Sequence, residues 1–296
     1  MPSNQTKDFD FVRTLVRKRS GIVLGAEKDY LIQARLQTLS RKEGFDSINQ
    51  LLDQTQALLD QVDEAPQNAL RQKVVEALTT NETSFFRDRH PFECLRNHAL
   101  PELLASRAAE RSLHIWSAAC STGQEPFSIA LLLREHFPEL HDWQVRIVAS
   151  DLSSECLDRA RQGRFTQMEV SRGLPTPLLA KFFSRQGLDW VIQDDVRQMI
   201  DFRRLNLLDS DLTLPQMDVV FLRNVLIYFD KETCQQILGR IRRVLRPDGY
   251  LFLGGAETTL FLDDAFERVP LSQAGCYRLR HPSQSSQTRS IHDALS

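Results

Sequence analysis

Two acidic residues and a loop of small side chains mark where this chain can do chemistry. Residues 115–126 read IWSAACSTGQEP, and FSIALLL then continues at helical spacing. That order is a strand, a ligand-cradling loop and a helix. Loops that carry a dinucleotide's pyrophosphate use closely spaced glycines so that the backbone can approach the phosphates. Here Ala118, Ala119, Cys120 and Ser121 stand in those places, and Gly123 is the loop's one glycine. No GK[ST] follows, which excludes a Walker A loop. A nucleoside without phosphates, such as S-adenosylmethionine, asks less of the loop, because small side chains let its methionine part lie against the backbone. Glu125 would repel a phosphate and can instead pair with a cationic α-amino group. Asp151 closes the next apolar run, VASD, where an acidic residue binds ribose hydroxyls in nucleoside-binding folds. Its plainer alternative is to cap a helix starting at Ser153; taken with the loop, ribose is the better reading. Cys120, at first sight a nucleophile, reads as a small residue lining the loop.

The totals set bounds on this chemistry. The 296 residues are 42% hydrophobic and 26% charged, as in an ordinary soluble protein of one large or two smaller domains. A formal net charge of −2 favours neither nucleic acid nor a membrane surface as partner. No apolar run approaches the roughly 20 residues of a membrane helix. The N-terminal MPSNQTKDFDF has no apolar core of a signal peptide. The five cysteines form no CxxC and the seven histidines no HExxH, so neither a disulfide framework nor a metal site is expected. A reducing cytoplasm fits this cysteine usage.

The elements that must position these residues follow from the apolar spacing. Residues 8–80 read as a small helical bundle. Its first helix, around Phe9, Arg13, Val12 and Val16, ends at Gly21. A second spans about Lys28–Glu43 and stops at Gly44. A third is capped by Asp46–Ser47, and a fourth runs over about Asn68–Thr79. From Leu113 the pattern changes. LHIWSAA, VRIVASD, MDVVFLRN and GYLFLGG are apolar, strand-like runs, with helical patterns at 124–137, 153–162 and 231–245 between them. Alternation of this kind predicts an α/β domain with a mostly parallel, doubly wound sheet. Its strand ends place the small-residue loop, Asp151, Asn206 and Arg223–Asn224 along one rim. Residues 164–205 break the alternation and are expected to form an inserted antiparallel subdomain. FERVPLSQAGCYRLR is expected to add a hairpin at the sheet edge. The polar tail 283–296 is expected to be disordered.

With NETSFFRD (81–88), WSAACSTGQEPFSIA (116–130), ASDLS (149–153), NLLD (206–209), FLRNVLIYFD (221–230) and RPDGYLFLGGAE (246–257), the chain resembles the chemotaxis receptor methyltransferases, the CheR family. The resemblance covers nearly the whole length. It implies an N-terminal all-α domain (1–80) joined to an S-adenosylmethionine-dependent methyltransferase domain (81–282) with an inserted β-subdomain. It also implies cofactor contacts from Asn81, Thr83, Arg87, Glu125, Asp151, Asn206, Leu207, Arg223 and Asn224. Of these, the residues alone point to Glu125 and Asp151; TTNETSFFRD by itself reads as a helix stop and a capping turn.

The implied product is a glutamate γ-methyl ester on the cytoplasmic helices of methyl-accepting chemotaxis receptors, with S-adenosylhomocysteine released. A glutamate carboxylate, with a reference pKa of about 4.3, is already ionised at neutral pH and needs no general base. Catalysis then rests on positioning and desolvation. Arg87 is expected to steady a carboxylate and Tyr228 to bring its hydroxyl to the reacting centre. Lys28, Arg35 and Lys42 recur every seven residues beside the apolar stripe of the second helix, a basic line suited to an acidic receptor helix. A monomer acting in the cytoplasm is expected, with no nucleic acid and no membrane insertion. Some members of the family dock a receptor C-terminal pentapeptide on the inserted subdomain; SRGLPTPLLAKFF inclines the reading to the independent type. Two alternatives stay open: a non-catalytic sensor of the cofactor, and a methyltransferase of another substrate.

Overall fold

The computed structural model describes residues 4–57, 65–270 and 275–280. By its internal contacts the chain divides into two compact units. The first comprises Met1–Thr80 and Tyr228–Thr233; the second comprises Asn81–Ile227 and Cys234–Ser296. The predicted tail lies outside the described residues.

The first unit is helical, with α1 (Asn4–Ser20), α2 (Asp29–Lys42), α3 (Ile48–Ala57) and α4 (Ala65–Ala77). Val12 and Val16 of α1, Ile32 and Leu36 of α2, Leu51 of α3 and Val74 of α4 are all fully buried. The i, i+4 spacing of these pairs is the apolar stripe from which the bundle was expected. Ser47 caps α3 by accepting the Gln50 N–H at 3.2 Å. The short segment Tyr228–Thr233 belongs to this unit. Val23 N–H donates to the Tyr228 carbonyl at 2.9 Å, Ile22 and Phe229 form an antiparallel bridge, and Arg17 pairs with Asp230 at 2.7 Å.

The basic line on α2 departs from expectation. Lys28 precedes the helix as its N-cap residue, and Lys42 is its exposed last residue. Arg35 is half-buried, and its guanidinium donates to the carbonyls of Ala77 and Thr79 at the end of α4. The last carbonyls of a helix have no intrahelical donor, so a cation there satisfies them and offsets the dipole. Burial lowers the Arg35 pKa below the ordinary arginine value, with nearby Tyr228 opposing.

The second unit opens with α5 (His90–Cys94), which runs through one π-helical stretch into α6 (Leu100–Ser106). Then come β1 (Ser112–Ala118), α7 (Gln124–His136), β2 (Gln144–Asp151) and α8 (Ser154–Gln162). Next are β3 (Arg164–Thr166), α9 (Gln167–Ser171), α10 (Thr176–Phe182), β4 (Phe183–Gln186), β5 (Asp189–Ile192), α11 (Asp194–Arg197) and β6 (Ile200–Arg204). The unit closes with β7 (Met217–Leu222), α12 (Lys231–Val244, whose first three residues group with the helical unit), β8 (Leu245–Leu253), β9 (Phe266–Arg268) and β10 (Gly275–Leu279).

The main sheet has the order β6-β2-β1-β7-β8-β10-β9. The first five strands are parallel; β10 is antiparallel to both β8 and β9. Strand order reverses at β1, so β1 and β7 flank the switch point. Strands β1 and β7 are buried almost throughout, as parallel strands covered on both sides must be. A separate three-stranded antiparallel sheet, β3-β5-β4, supplies the subdomain. The strand-rich run is therefore split. Residues 164–192 build the small sheet, whereas β6, read with them in the sequence, pairs in parallel with β2 from Ile147↔Ile200 to Asp151↔Arg204. Short apolar runs do not reveal which sheet they join, because pairing is a long-range choice.

Candidate active site

The loop after β1 is bent hard with a single glycine. Ala119 has φ 57°, Ser121 φ 51° and Gly123 φ 95°. Left-handed backbone at a non-glycine residue costs on the order of 1 kcal/mol and persists only where neighbours hold it. The bonds that hold it are present. Cys120 N–H donates to the Ser150 carbonyl at 2.9 Å and Gly123 N–H to the Cys120 carbonyl at 3.0 Å. Ser121 N–H donates to Asp151 Oδ2 at 2.8 Å, and Ser121 Oγ donates to the Asn81 carbonyl at 2.8 Å. Gly123 must stay glycine for a second reason: a Cβ there would stand 3.0 Å from Ala160 Cβ on α8.

Asp151 is the hub of this corner. One oxygen takes Ser121 N–H and the other takes Ser153 N–H at 2.9 Å. Ser153, not Asp151, caps α8, accepting Cys156 N–H at 3.3 Å. The Asp151 carbonyl accepts Leu205 N–H at 3.1 Å, which brings the stretch holding Asn206 and Leu207 beside the end of β2. Asn206 Oδ1 accepts Leu208 N–H at 3.0 Å, and Leu207 is buried. Cys120 is buried, and burial first, then the Asp151 and Glu125 charges, push its thiol pKa well up. A thiol so placed is protonated and inert, not a nucleophile.

Across the switch point, Arg223 leaves the end of β7 with a side chain 1% exposed. Its Nη1 donates to Glu125 Oε2 at 2.9 Å, and its Nη2 donates to Asp88 Oδ2 at 2.7 Å and to the Arg87 carbonyl at 2.9 Å. Its Nε is buried without a partner among the described residues. The second Glu125 oxygen accepts Ser117 Oγ at 2.8 Å. Burial raises the Glu125 pKa above the ordinary carboxylate value. Arg223 and Ser117 hold it down, and Glu257 adds to the rise.

Residues Asn81–Asp88 are pinned by two phenylalanines. Phe85 is fully buried, edge-on to Phe165 of the small sheet at 4.9 Å and to Phe183 at 5.9 Å. Phe86 turns the other way, 5.2 Å from Phe92, and its N–H donates to Ser128 Oγ at 2.9 Å. Gly173 lets the chain pass, since a Cβ there would fall 2.0 Å from the Phe85 carbonyl oxygen. The motif thus lies along the β1 loop through Asn81 and along Arg223 through Arg87. Thr83 is half-buried, and Arg87 Nη1 donates to the Glu82 carbonyl at 3.0 Å.

Asn81, Arg87, Glu125, Asp151, Asn206, Leu207, Arg223 and Asn224 are brought to this rim by the bonds above and by the end of β7. Lys28, Arg35, Lys42 and Tyr228 belong to the helical unit. The sequence reading missed Glu257. Its carboxylate accepts four backbone N–H groups, from Gly254 at 2.6 Å, Asn224 at 2.7 Å, Val225 at 2.8 Å and Leu226 at 2.7 Å. The available signal was an acid three residues beyond the first glycine of LGGAE, at the end of a buried strand.

This donor set suits a cationic nucleoside better than a phosphate. Arg223, a buried arginine of the rim, is already shared between two carboxylates, while each Glu125 oxygen accepts one hydrogen bond among the described residues and has a second lone pair for an ammonium. Among the described residues no group of three or more His, Cys, Asp or Glu side chains could hold a metal.

Known proteins are similar to this chain over most of its length. The family described as "CheR methyltransferase, SAM binding domain" matches residues 81–274, and "CheR methyltransferase, all-alpha domain" matches residues 7–79. The chain is 41% identical to chemotaxis protein methyltransferase 1 of Pseudomonas aeruginosa, covering 92% of this chain and 98% of that one. It is 39% identical to chemotaxis protein methyltransferase Cher2 of Pseudomonas putida over the same shares. A Vibrio parahaemolyticus chemotaxis protein methyltransferase is 38% identical over 92% of this chain and 96% of its own. The chain belongs to the CheR family of S-adenosylmethionine-dependent methyltransferases.

Proposed function

We propose that this enzyme methylates glutamate side chains on the cytoplasmic helices of chemoreceptors, giving γ-methyl esters and S-adenosylhomocysteine. The observation that carries the reading is the rim of Glu125, Asp151 and Arg223, gathered at the switch point of a chain similar over nearly its whole length to chemotaxis methyltransferases. When bound, S-adenosylmethionine supplies a methyl group on a sulfonium centre. Glu125 receives the α-ammonium group, and Asp151 the ribose hydroxyls. Asn81, Thr83, Asn206, Leu207 and Asn224 line the remainder. The accepting glutamate is already ionised, so no residue of the rim has to take a proton. Arg87 steadies the incoming carboxylate, which loses hydration as it enters. The Tyr228 hydroxyl orients it. Lys28 and Lys42 draw the acidic helix of the receptor, while Arg35 supports that surface from beneath by holding the end of α4.

Methyl-labelled cofactor and a soluble receptor fragment provide the test. Label should enter the fragment and be released by mild base, as an ester is. Base-stable label, or no transfer to any chemoreceptor fragment, contradicts the reading. We further propose that the small sheet does not dock a receptor C-terminal pentapeptide; micromolar binding of such a peptide by calorimetry contradicts that.

A further inference from the structure

The loop after β7 is built around a carboxylate that comes from the loop after β8. Asn224 sits at φ 57°, a left-handed conformation uncommon for a residue with a side chain. Such a residue followed by further amides makes consecutive N–H groups converge and form an anion-binding concavity. In this chain the concavity is filled from within. Glu257 is 8% exposed, and its Oε2 takes the N–H groups of Asn224 and Gly254 while Oε1 takes those of Val225 and Leu226. The two loops are drawn close enough that a Cβ on Gly254 would stand 2.7 Å from Asn224 Nδ2 and 2.7 Å from Glu257 Oε2. The Glu257 charge also reaches Glu125, whose pKa it helps to raise.

We propose that Glu257 is a positioning residue for cofactor binding. By filling the concavity it fixes the conformation of Asn224, and hence the direction of the Asn224 side chain, beside Arg223 at the switch point. Glu257 touches no reacting atom in this role; it acts through Asn224. The charge matters as well as the shape. An isosteric amide would turn an NH2 group toward two of the four N–H donors and leave those donors unsatisfied in a buried place.

The inference rests on the reading that this rim holds S-adenosylmethionine, and the test separates the two. S-adenosylhomocysteine is titrated calorimetrically into wild type, Glu257→Gln, Glu257→Asp and Gly254→Ala, and initial rates are measured against cofactor concentration. Thermal unfolding fixes a temperature at which every variant is folded. Glu257→Gln should weaken binding about tenfold or more, which is about 1.4 kcal/mol, and raise the KM for the cofactor while kcat at saturation changes much less. Glu257→Asp keeps the charge but not the reach, and should fall between wild type and the amide. Gly254→Ala keeps the Glu257 carboxylate in the chain but crowds it and the Asn224 amide, and should show the same shift in KM. Wild type that fails to bind the product overturns the reading of the rim. Wild type that binds, with all three variants binding equally well and merely less stable, overturns the positioning role alone.

Discussion

Two buried arginines lie at opposite ends of the same parallel strands, and their surroundings differ. Arg107 follows α6, at the amino ends. Its Nε donates to Asp218 at 2.8 Å, and its two Nη groups clasp Asp248 at 2.8 and 2.6 Å. The second Asp218 oxygen accepts the His114 N–H at 2.8 Å, and Arg246 lies 3.5 Å from Asp218 and pairs onward with Glu110. The Asp248 hydrogen bonds chiefly, and Asp218 after them, raise the Arg107 pKa, while Asp248 is held below the usual carboxylate value by Arg107. Arg223, at the carboxyl ends, splits its fork among Glu125, Asp88 and a carbonyl, and keeps a buried Nε without a partner among the described residues. Its partner Glu125 is pushed up in pKa. Each guanidinium nitrogen of Arg107 has a partner, whereas Arg223 keeps one buried donor without a partner among the described residues, beside the rim that is proposed to bind.

The widest separation comes from removing each arginine. Arg107→Met and Arg223→Met should each cost about 3–5 kcal/mol by denaturant unfolding, since each strands a buried carboxylate. Under folding conditions Arg107→Met should bind S-adenosylhomocysteine like wild type, whereas Arg223→Met should bind it barely at all. Equal affinities would erase the distinction between the two ends. Phe85→Ala, which empties a site between the NETSFFRD motif and the small sheet, should cost about 3 kcal/mol of stability and also weaken cofactor binding, because the motif that carries Asn81 and Arg87 loses its anchor.

The contrast between these ends was only partly legible in the sequence. Helices α7, α8 and α12 and the strand-end positions of the β1 loop, Asp151 and Arg223 follow from local periodicity and strand–loop–helix order. The Arg107–Asp218–Asp248 cluster and the grip of Glu257 on residues 224–226 do not, because each joins residues that only the folded sheet brings together. Arg35 is instructive: its heptad spacing was real, yet whether a basic side chain meets solvent or a helix end depends on where α4 stops. Local strain was hidden too. The small residues at Ala119 and Ser121 suggested room for a ligand, but not that both would take left-handed backbone held by Asp151 and Asn81.

Smaller effects refine the carboxyl-end cluster. The Glu125 pKa is higher in the folded chain than in the unfolded one, so between those two values the native state binds the proton more strongly. Its contribution to stability therefore falls as pH rises through that window. Cofactor affinity, which needs the carboxylate, should rise with pH over the same window. Titrations across mildly acidic pH should show affinity lost at a higher pH than an ordinary glutamate would give, and the Glu125→Gln variant should lack that step. Smallest of all, Cys120→Ala should leave turnover close to wild type, since the buried thiol takes no part in transfer; loss of activity in the folded variant would return Cys120 to the reaction.

The central claim is that the carboxyl-end rim holds S-adenosylmethionine through an ionised, buried Glu125. Calorimetric titration of S-adenosylhomocysteine at neutral pH into wild type and Glu125→Gln tests it most directly. The account predicts stoichiometric binding by wild type and at least about tenfold weaker binding by the folded variant. Equal affinity in the two proteins contradicts it.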